Sequence, residues 1–312
     1  MKNLSISQTK LFGLKFFFNE IIDLFNKNKL PNKILFSGQQ GVGKSTLAFH
    51  ILNYILSLNE QNKYLVDSNT INTENKSYNL IKNGSHPNFY LIDLIDEKKN
   101  IEISQIRSMI NYTNKSSFNN NKKIILINNV DNLNINSLNS LLKITEEPNE
   151  NILFILIYNN SKKISKTLIS RFLVFKIYLS FEETLMITNQ IIEDDIFKIL
   201  NKELINHYST PGQYVNLINF GKKNKINLKE NNLKNFLSIL IDNKYYKKNN
   251  FVKLKIYNYI ELYFLNLFNA SENKLSFIYT YSNFIKKIDN VNRFNLDYES
   301  LFLEFKNEIL NG

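Results

Sequence analysis

The densest chemistry in the chain lies in nine consecutive residues, Gly38-Gln39-Gln40-Gly41-Val42-Gly43-Lys44-Ser45-Thr46. Glycines at 38, 41 and 43 let backbone N–H groups turn inward around phosphate oxygens. Lys44 can reach the terminal phosphates, and the Ser45 hydroxyl can ligate Mg²⁺. The spacing therefore predicts a nucleotide site for ATP or ADP, with Mg²⁺ as the accompanying ion. Such a loop works only between a strand and a helix, so that the helix N-terminus adds its positive end. Both are readable: the apolar run Ile34-Leu35-Phe36 precedes the loop. Leu47, Ala48, Ile51, Leu52, Ile55 and Leu56 follow it at helical spacing.

The 312 residues suffice for two or three domains, and 43% hydrophobic content is that of an ordinary soluble protein. The densest apolar run, residues 152–158, has the length of a strand and falls far short of the roughly 20 residues of a membrane span. Polar residues interleave the first stretch of chain, so no secretory signal is expected. With no cysteine there is neither a disulfide framework nor a Cys-type zinc site, and the expectation is a cytoplasmic protein without zinc.

The net charge of +11 invites a nucleic-acid reading. Of the 39 Lys and Arg, however, only Arg107, Arg171 and Arg293 are arginine, and alanine stands only at 48 and 270. Abundant Lys, Asn, Ile, Phe and Tyr beside scarce Ala, Arg, Gly and Pro is what AT-rich codons produce whatever the function. The charge is weak support for DNA contact, and a retained arginine draws more attention than any one lysine.

Along the chain, a helical pattern (Phe17, Ile21, Ile22, Leu24, Phe25) ends near Pro31, and the phosphate loop's helix is expected over residues 44–58. Residues 59–83 read as a polar, irregular surface insertion with a short helix around 78–81. Strands are expected over 86–92, 122–127, 151–158 and 172–177. Helices are expected over 102–113, over 134–147 ending at Pro148, and over 164–169. Continuous apolar strands alternating with helices imply a parallel sheet covered on both faces. Helices follow over 182–190, 194–200 and 214–220, with Thr210-Pro211-Gly212 as a break. Four more over 233–241, 251–268, 275–288 and 298–310 make a helical region whose aromatic residues, Tyr257, Tyr259, Tyr263 and Phe264 among them, are expected in its core. The expected fold is thus an α/β P-loop domain over 1–177, a small helical lid over 178–221 and an all-helical C-terminal domain over 222–312.

Asn128-Asn129-Val130-Asp131 followed by Leu141-Leu142-Lys143-Ile144-Thr145-Glu146-Glu147-Pro148 resembles bacterial clamp-loader subunits of the AAA+ class, and Ser170-Arg171-Phe172 resembles their Ser-Arg-Cys motif. Leu11-Phe12-Gly13, Lys29-Leu30-Pro31, Gly84-Ser85-His86-Pro87, Ile103-Ser104-Gln105-Ile106-Arg107 and Asn295-Leu296-Asp297 are similar to the delta-prime branch of the DNA polymerase III clamp loader. The matches are dense over residues 11–175 and thin after 220.

The departures are as informative. An active ATPase of this class ends its third strand in Asp and Glu, which order the Mg²⁺ shell and polarise water. Here the resemblance aligns Asn128 and Asn129 there, a degenerate Walker B, and gives Asp131 the task of bracing the following helix. Gly212 or Gln213 stands where active members carry a sensing arginine. Asn159 and Asn160 fall in the region of the first sensor, and the polar insertion takes the place of the family's zinc module. What the resemblance keeps is Arg171, as an arginine finger acting in trans on a neighbouring subunit's ATP; read alone, the same arginine would be an intramolecular ion pair or a solvated arginine at a helix end. Lys143 is read as solvated and His86 as a structural turn histidine.

The resemblance implies a non-hydrolysing subunit of a hetero-pentameric clamp loader without independent enzymatic activity. It would bind ATP or ADP and join motor and clamp-opening subunits, with the sliding clamp and primer-template DNA engaged through the assembly. One alternative is an active motor or other P-loop ATPase in which a displaced carboxylate such as Asp131 serves the metal. The other is a stand-alone DNA-binding module.

Overall fold

The computed structural model describes residues 4–95, 98–118, 122–146, 151–270, 274–294 and 296–311. Glu147, Pro148 and Asn295, named in the motifs above, lie outside them. The chain divides into two compact units, residues 1–191 with 210–212, and residues 192–209 with 213–312.

In the first unit the order is α1 (Leu4–Ser7), α2 (Lys15–Asn26), β1 (Lys33–Ser37), α3 (Lys44–Leu56), α4 (Lys76–Lys82), β2 (Phe89–Ile92), α5 (Ile103–Thr113), β3 (Lys123–Ile127), α6 (Ile135–Glu146), β4 (Ile152–Tyr158), α7 (Lys166–Ile169), β5 (Leu173–Lys176) and α8 (Phe181–Ile192). The five strands form one all-parallel sheet in the order β2-β3-β4-β1-β5. Both faces are covered, which is why β3 and β4 are apolar without alternation. Ile124, Leu126, Leu153, Ile155 and Phe36 face one core with Phe18, Ile21, Leu47 and Ile51 of α2 and α3. Ile125, Ile127, Phe154, Leu156 and Leu35 face the other with Ile106, Met109 and Leu141 of α5 and α6.

Residues 59–83 differ from the irregular surface insertion expected of them. Tyr64, Ile71, Tyr78 and Ile81 are buried in the first core. Glu60 accepts the Lys76 and Ser77 backbone N–H groups at 2.9 and 3.0 Å, neutralising the α4 N-terminus. Asn75, itself fully buried, caps Tyr78 N at 2.7 Å. Four apolar residues diluted among asparagines hide this core contribution from any periodicity. His86 is the expected structural histidine: Nδ1 accepts Asn88 N at 3.1 Å and Nε2 meets the Ser77 hydroxyl at 3.2 Å.

The second unit is helical: α9 (Ile196–Ile199), α10 (Pro211–Asn224, its first two residues in the first unit), α11 (Leu233–Asp242), α12 (Tyr245–Lys248), α13 (Asn250–Ala270), α14 (Lys274–Phe294), α15 (Tyr298–Phe305) and a closing π turn, Lys306–Leu310. Pro211 opens α10, where its fixed φ and missing N–H suit a first turn, rather than only separating two helices. Phe236, Phe302 and Phe305 are fully buried, and Tyr259, Tyr263 and Phe264 pack with them as core. Half-buried Tyr257 lies against the Phe302 ring at 5.7 Å between centroids. Among the described residues no helix is long and apolar enough to cross a membrane.

Candidate functional site

In a parallel sheet the C-terminal strand ends converge on one edge, and side chains distant in sequence meet there. The loop after β1 behaves as its glycines require. Gly41 and Gly43 adopt φ of 93° and 99°, which L side chains rarely reach, and Gly43 caps α3. A Cβ on Gly38 would stand 2.1 Å from the Ile177 carbonyl oxygen. Lys44 is buried, its Nζ donating to the Gly38 and Gln39 carbonyls at 2.7 and 2.6 Å. Burial lowers its pKa to about 7, opposed by the charge of Asp131. Val42 is buried, while Ser45 and Thr46 in the first turn of α3 are half-buried. A lysine amine in the first turn of a helix, beside glycine backbone in the left-handed region, is an arrangement that suits phosphate oxygens, whose charge would favour the cationic form.

Asn128 follows β3, and the Ser45 hydroxyl donates to its Oδ1 at 3.2 Å. The hydroxyl suited to Mg²⁺ is thus joined to the first residue after the third strand, in the relation a metal-ordering carboxylate would require, but with a neutral amide. Ser45 and the Asn128 carbonyl oxygen could flank a Mg²⁺ ion. Asn129, left-handed at φ 54°, accepts from Asn159 Nδ2 at 2.7 Å. Both asparagines also donate to one carboxylate: Asn128 Nδ2 to Asp93 Oδ2 at 3.0 Å and Asn129 Nδ2 to Asp93 Oδ1 at 2.7 Å.

Asp93 is the site residue that sequence reasoning missed. A signal existed, since it directly follows the β2 strand. Only the pairing of β2 with β3, with Ile92 beside Ile127, sets it against Asn128. Asp131 does something other than brace the following helix. From a 3₁₀ turn, Val130–Asn132, it accepts the Ser161 N–H at 3.2 Å and the Ser161 hydroxyl, holding the turn after β4. Asn160, also left-handed at φ 58°, accepts from the Ser37 hydroxyl at 3.1 Å.

At the start of α10, Gly212 N donates to the Gly41 carbonyl at 3.0 Å and the Thr210 hydroxyl to the Gln40 carbonyl at 2.9 Å. A Cβ on Gly212 would lie 2.9 Å from Gly41 Cα, so any larger residue would displace the phosphate loop.

The structure does not bring Arg171 to this edge. Ile34 pairs with Leu173 and Ser37 with Lys176, so Arg171 precedes β5 at the opposite end of the sheet from Gly38. The four residues of β5, at about 3.3 Å each, by themselves separate the two by roughly 13 Å. Its guanidinium donates to the Thr167 carbonyl at 2.6 Å and to Glu146 at 2.8 Å, with the Glu146 side chain 56% exposed. Lys143 and Arg107 are exposed on α6 and α5.

Residues 14–180 match the family described as DNA polymerase III, delta subunit. Over 175 residues the chain is 35% identical to a DNA polymerase III subunit gamma of Buchnera aphidicola subsp. Schizaphis graminum, covering 56% of this chain and 46% of the relative. It is 30% identical over 167 residues to subunit delta' of the same organism, covering 53% and 48%. The chain thus spans about half the length of these two relatives. A subunit delta' of Buchnera aphidicola subsp. Acyrthosiphon pisum aligns over 86% of this chain and 84% of its own length at 24% identity. In fold, a DNA polymerase III gamma-subunit-related protein of Thermotoga maritima covers 93% of this chain and 97% of its own, with a TM-score of 0.50 and 14% identity.

Proposed function

The chain belongs to the DNA polymerase III delta subunit family, and from that premise we propose that it is a delta-prime-type subunit of the replicative clamp loader, supplying Arg171 in trans to a neighbouring motor subunit. The observation that carries this reading is the separation of Arg171 from the chain's own phosphate loop along the whole length of the sheet. A phosphate that meets this guanidinium belongs to another chain. The Glu146 pair that occupies it is partly exposed and worth little, so an incoming phosphate can replace it.

The chain's own site binds ATP or ADP through Gly38, Gly41, Val42, Gly43, Lys44, Ser45 and Thr46 without efficient turnover. Asn128 and Asn129 carry no charge and take no proton, and Gly212 fills the place of a sensing arginine. We assign the lid to 178–221 and the assembly region to the helices of 222–312. Exposed Tyr208, Leu265 and Ile278 line one open apolar pocket and suit contacts with motor and clamp-opening subunits. The sliding clamp and primer-template DNA are engaged by the assembly, and its compartment is the cytoplasm.

ATP turnover by the chain alone, and by the chain mixed with motor and clamp-opening subunits, tests this. The chain alone is expected to be silent. Arg171→Ala should lower turnover by the assembly on the order of 10³-fold while leaving assembly intact. The similarity to a gamma subunit supports a second reading, an active motor. Turnover by the chain alone that disappears in Lys44→Ala would establish that reading instead.

A further inference from the structure

We propose that Asp93, at the end of β2, supplies the negative charge for a Mg²⁺ ion held with nucleotide at the phosphate loop, acting through Asn128. The inference rests on the nucleotide reading of the loop and extends it to a residue outside every motif considered so far.

An ionised carboxylate only accepts, so both amide nitrogens must face Asp93: Asn128 Nδ2 on Oδ2 and Asn129 Nδ2 on Oδ1. Each amide oxygen is then turned away from Asp93. That of Asn128 points to the Ser45 hydroxyl at 3.2 Å, and that of Asn129 to Asn159 Nδ2 at 2.7 Å. The network itself therefore decides which end of the Asn128 amide faces the cation position, and it selects the oxygen. Remove the carboxylate charge and Asn128 loses the partner that fixes its orientation. An inverted amide would direct its NH₂ group at the cation.

Asp93 is itself held in place. Gln105 Nε2 donates to its carbonyl at 2.8 Å, while Gln105 Oε1 accepts Glu102 N at 3.0 Å in the first turn of α5. Leu94 N donates to Asp93 Oδ1 at 2.8 Å. Thus β3 has lost its carboxylate, and β2 returns one negative charge a single hydrogen bond further from the metal. At that remove a carboxylate can polarise the Asn128 oxygen and attract a divalent ion, but it cannot reach a water attacking the terminal phosphate. The arrangement retains Mg²⁺–nucleotide without restoring hydrolysis.

Asp93 is a positioning residue, and its test reads the metal rather than the fold. A fluorescent ADP analogue, N-methylanthraniloyl-ADP, is titrated into the full chain in MgCl₂ and in EDTA, and the ratio of the two affinities is the readout. In the wild type Mg²⁺ should tighten binding. In Asp93→Asn the ratio should fall by about 10-fold or more, the usual effect of losing a partner that orients a metal ligand. The double variant Asp93→Asn/Asn128→Asp keeps the same hydrogen-bonded pair with donor and acceptor exchanged, and should recover the ratio. An equal ratio in wild type and Asp93→Asn overturns the proposal. So does a wild type whose binding ignores Mg²⁺, which leaves the nucleotide reading standing. If Asp93→Asn fails to fold, a folded double variant without Mg²⁺ enhancement overturns it equally. Absence of analogue binding in both buffers overturns the nucleotide reading and the Asp93 role together.

Discussion

Asn128 brings an uncharged amide to the end of β3, and its hydrogen bonds run through five side chains. Ser45, Asn128, Asp93, Asn129 and Asn159 form one chain of hydrogen bonds from the phosphate loop to the turn after β4. Its one charge sits at Asp93. His50 lies in the helix behind the loop and serves the fold instead. Its Nε2 donates to the Gln8 carbonyl at 3.0 Å, and in the neutral ring Nδ1 accepts from the Tyr64 hydroxyl at 2.8 Å. Burial lowers its pKa to about 4. Between the unfolded value near 6.5 and this one, the unfolded chain binds the proton and the folded chain does not, so stability falls as pH falls through that window and is unaffected by this group above it. The loss amounts to about 3 kcal/mol by pH 4. Urea denaturation of wild type and His50→Gln at pH 7 and pH 4.5 checks it: the variant should start less stable and lose less on acidification. A loss equal to that of the wild type would show that His50 does not set the acid response.

Among the elements, α4 shows how a polar segment can belong to a core. Its cap Asn75 is fully buried and acts three ways: Oδ1 accepts from Tyr78 N at 2.7 Å and Asn53 Nδ2 at 3.3 Å, and Nδ2 donates to the Asn62 carbonyl at 2.8 Å. Asn75→Ala removes a cap worth about 1 kcal/mol and also leaves buried partners unsatisfied. The expected destabilisation is about 2–3 kcal/mol, read as a lower urea midpoint at unchanged slope. A change below about 0.5 kcal/mol, the size of an ordinary surface substitution, would mean that residues 59–83 are not integral to the core. The short α7 works differently: the turn that follows it carries Arg171 just before β5, so the strand's register sets the level of Arg171 along the sheet.

For the whole molecule, each compact unit has its own aromatic core, so unfolding should resolve into two calorimetric transitions. Phe18→Ala should lower only the first unit's transition and Phe236→Ala only the second's, each by about 3–5 kcal/mol. Saturating nucleotide should raise the one sensitive to Phe18. A single transition responding to both substitutions would refute this independence. The amino-acid sequence by itself determined the phosphate loop and the doubly covered parallel sheet. Positive φ at Gly41 and Gly43, apolar strands and 3.6-residue helical spacing are local properties, written in neighbouring residues. The aromatic core of the C-terminal helices was legible for the same reason. Tertiary structure alone decided that Asp93 meets Asn128 and Asn129, that Asp131 holds the turn at Ser161, that Gly212 seats against Gly41, and that Arg171 faces away from its own loop. The first two and the last follow from the strand order β2-β3-β4-β1-β5 and its register, and the Gly212 contact from the seating of the start of α10 on the phosphate loop, 171 positions away in sequence; no local pattern encodes either. Asparagine abundance deepened the gap, because a hydrogen-bonding asparagine in a site has the same sequence signature as one facing water.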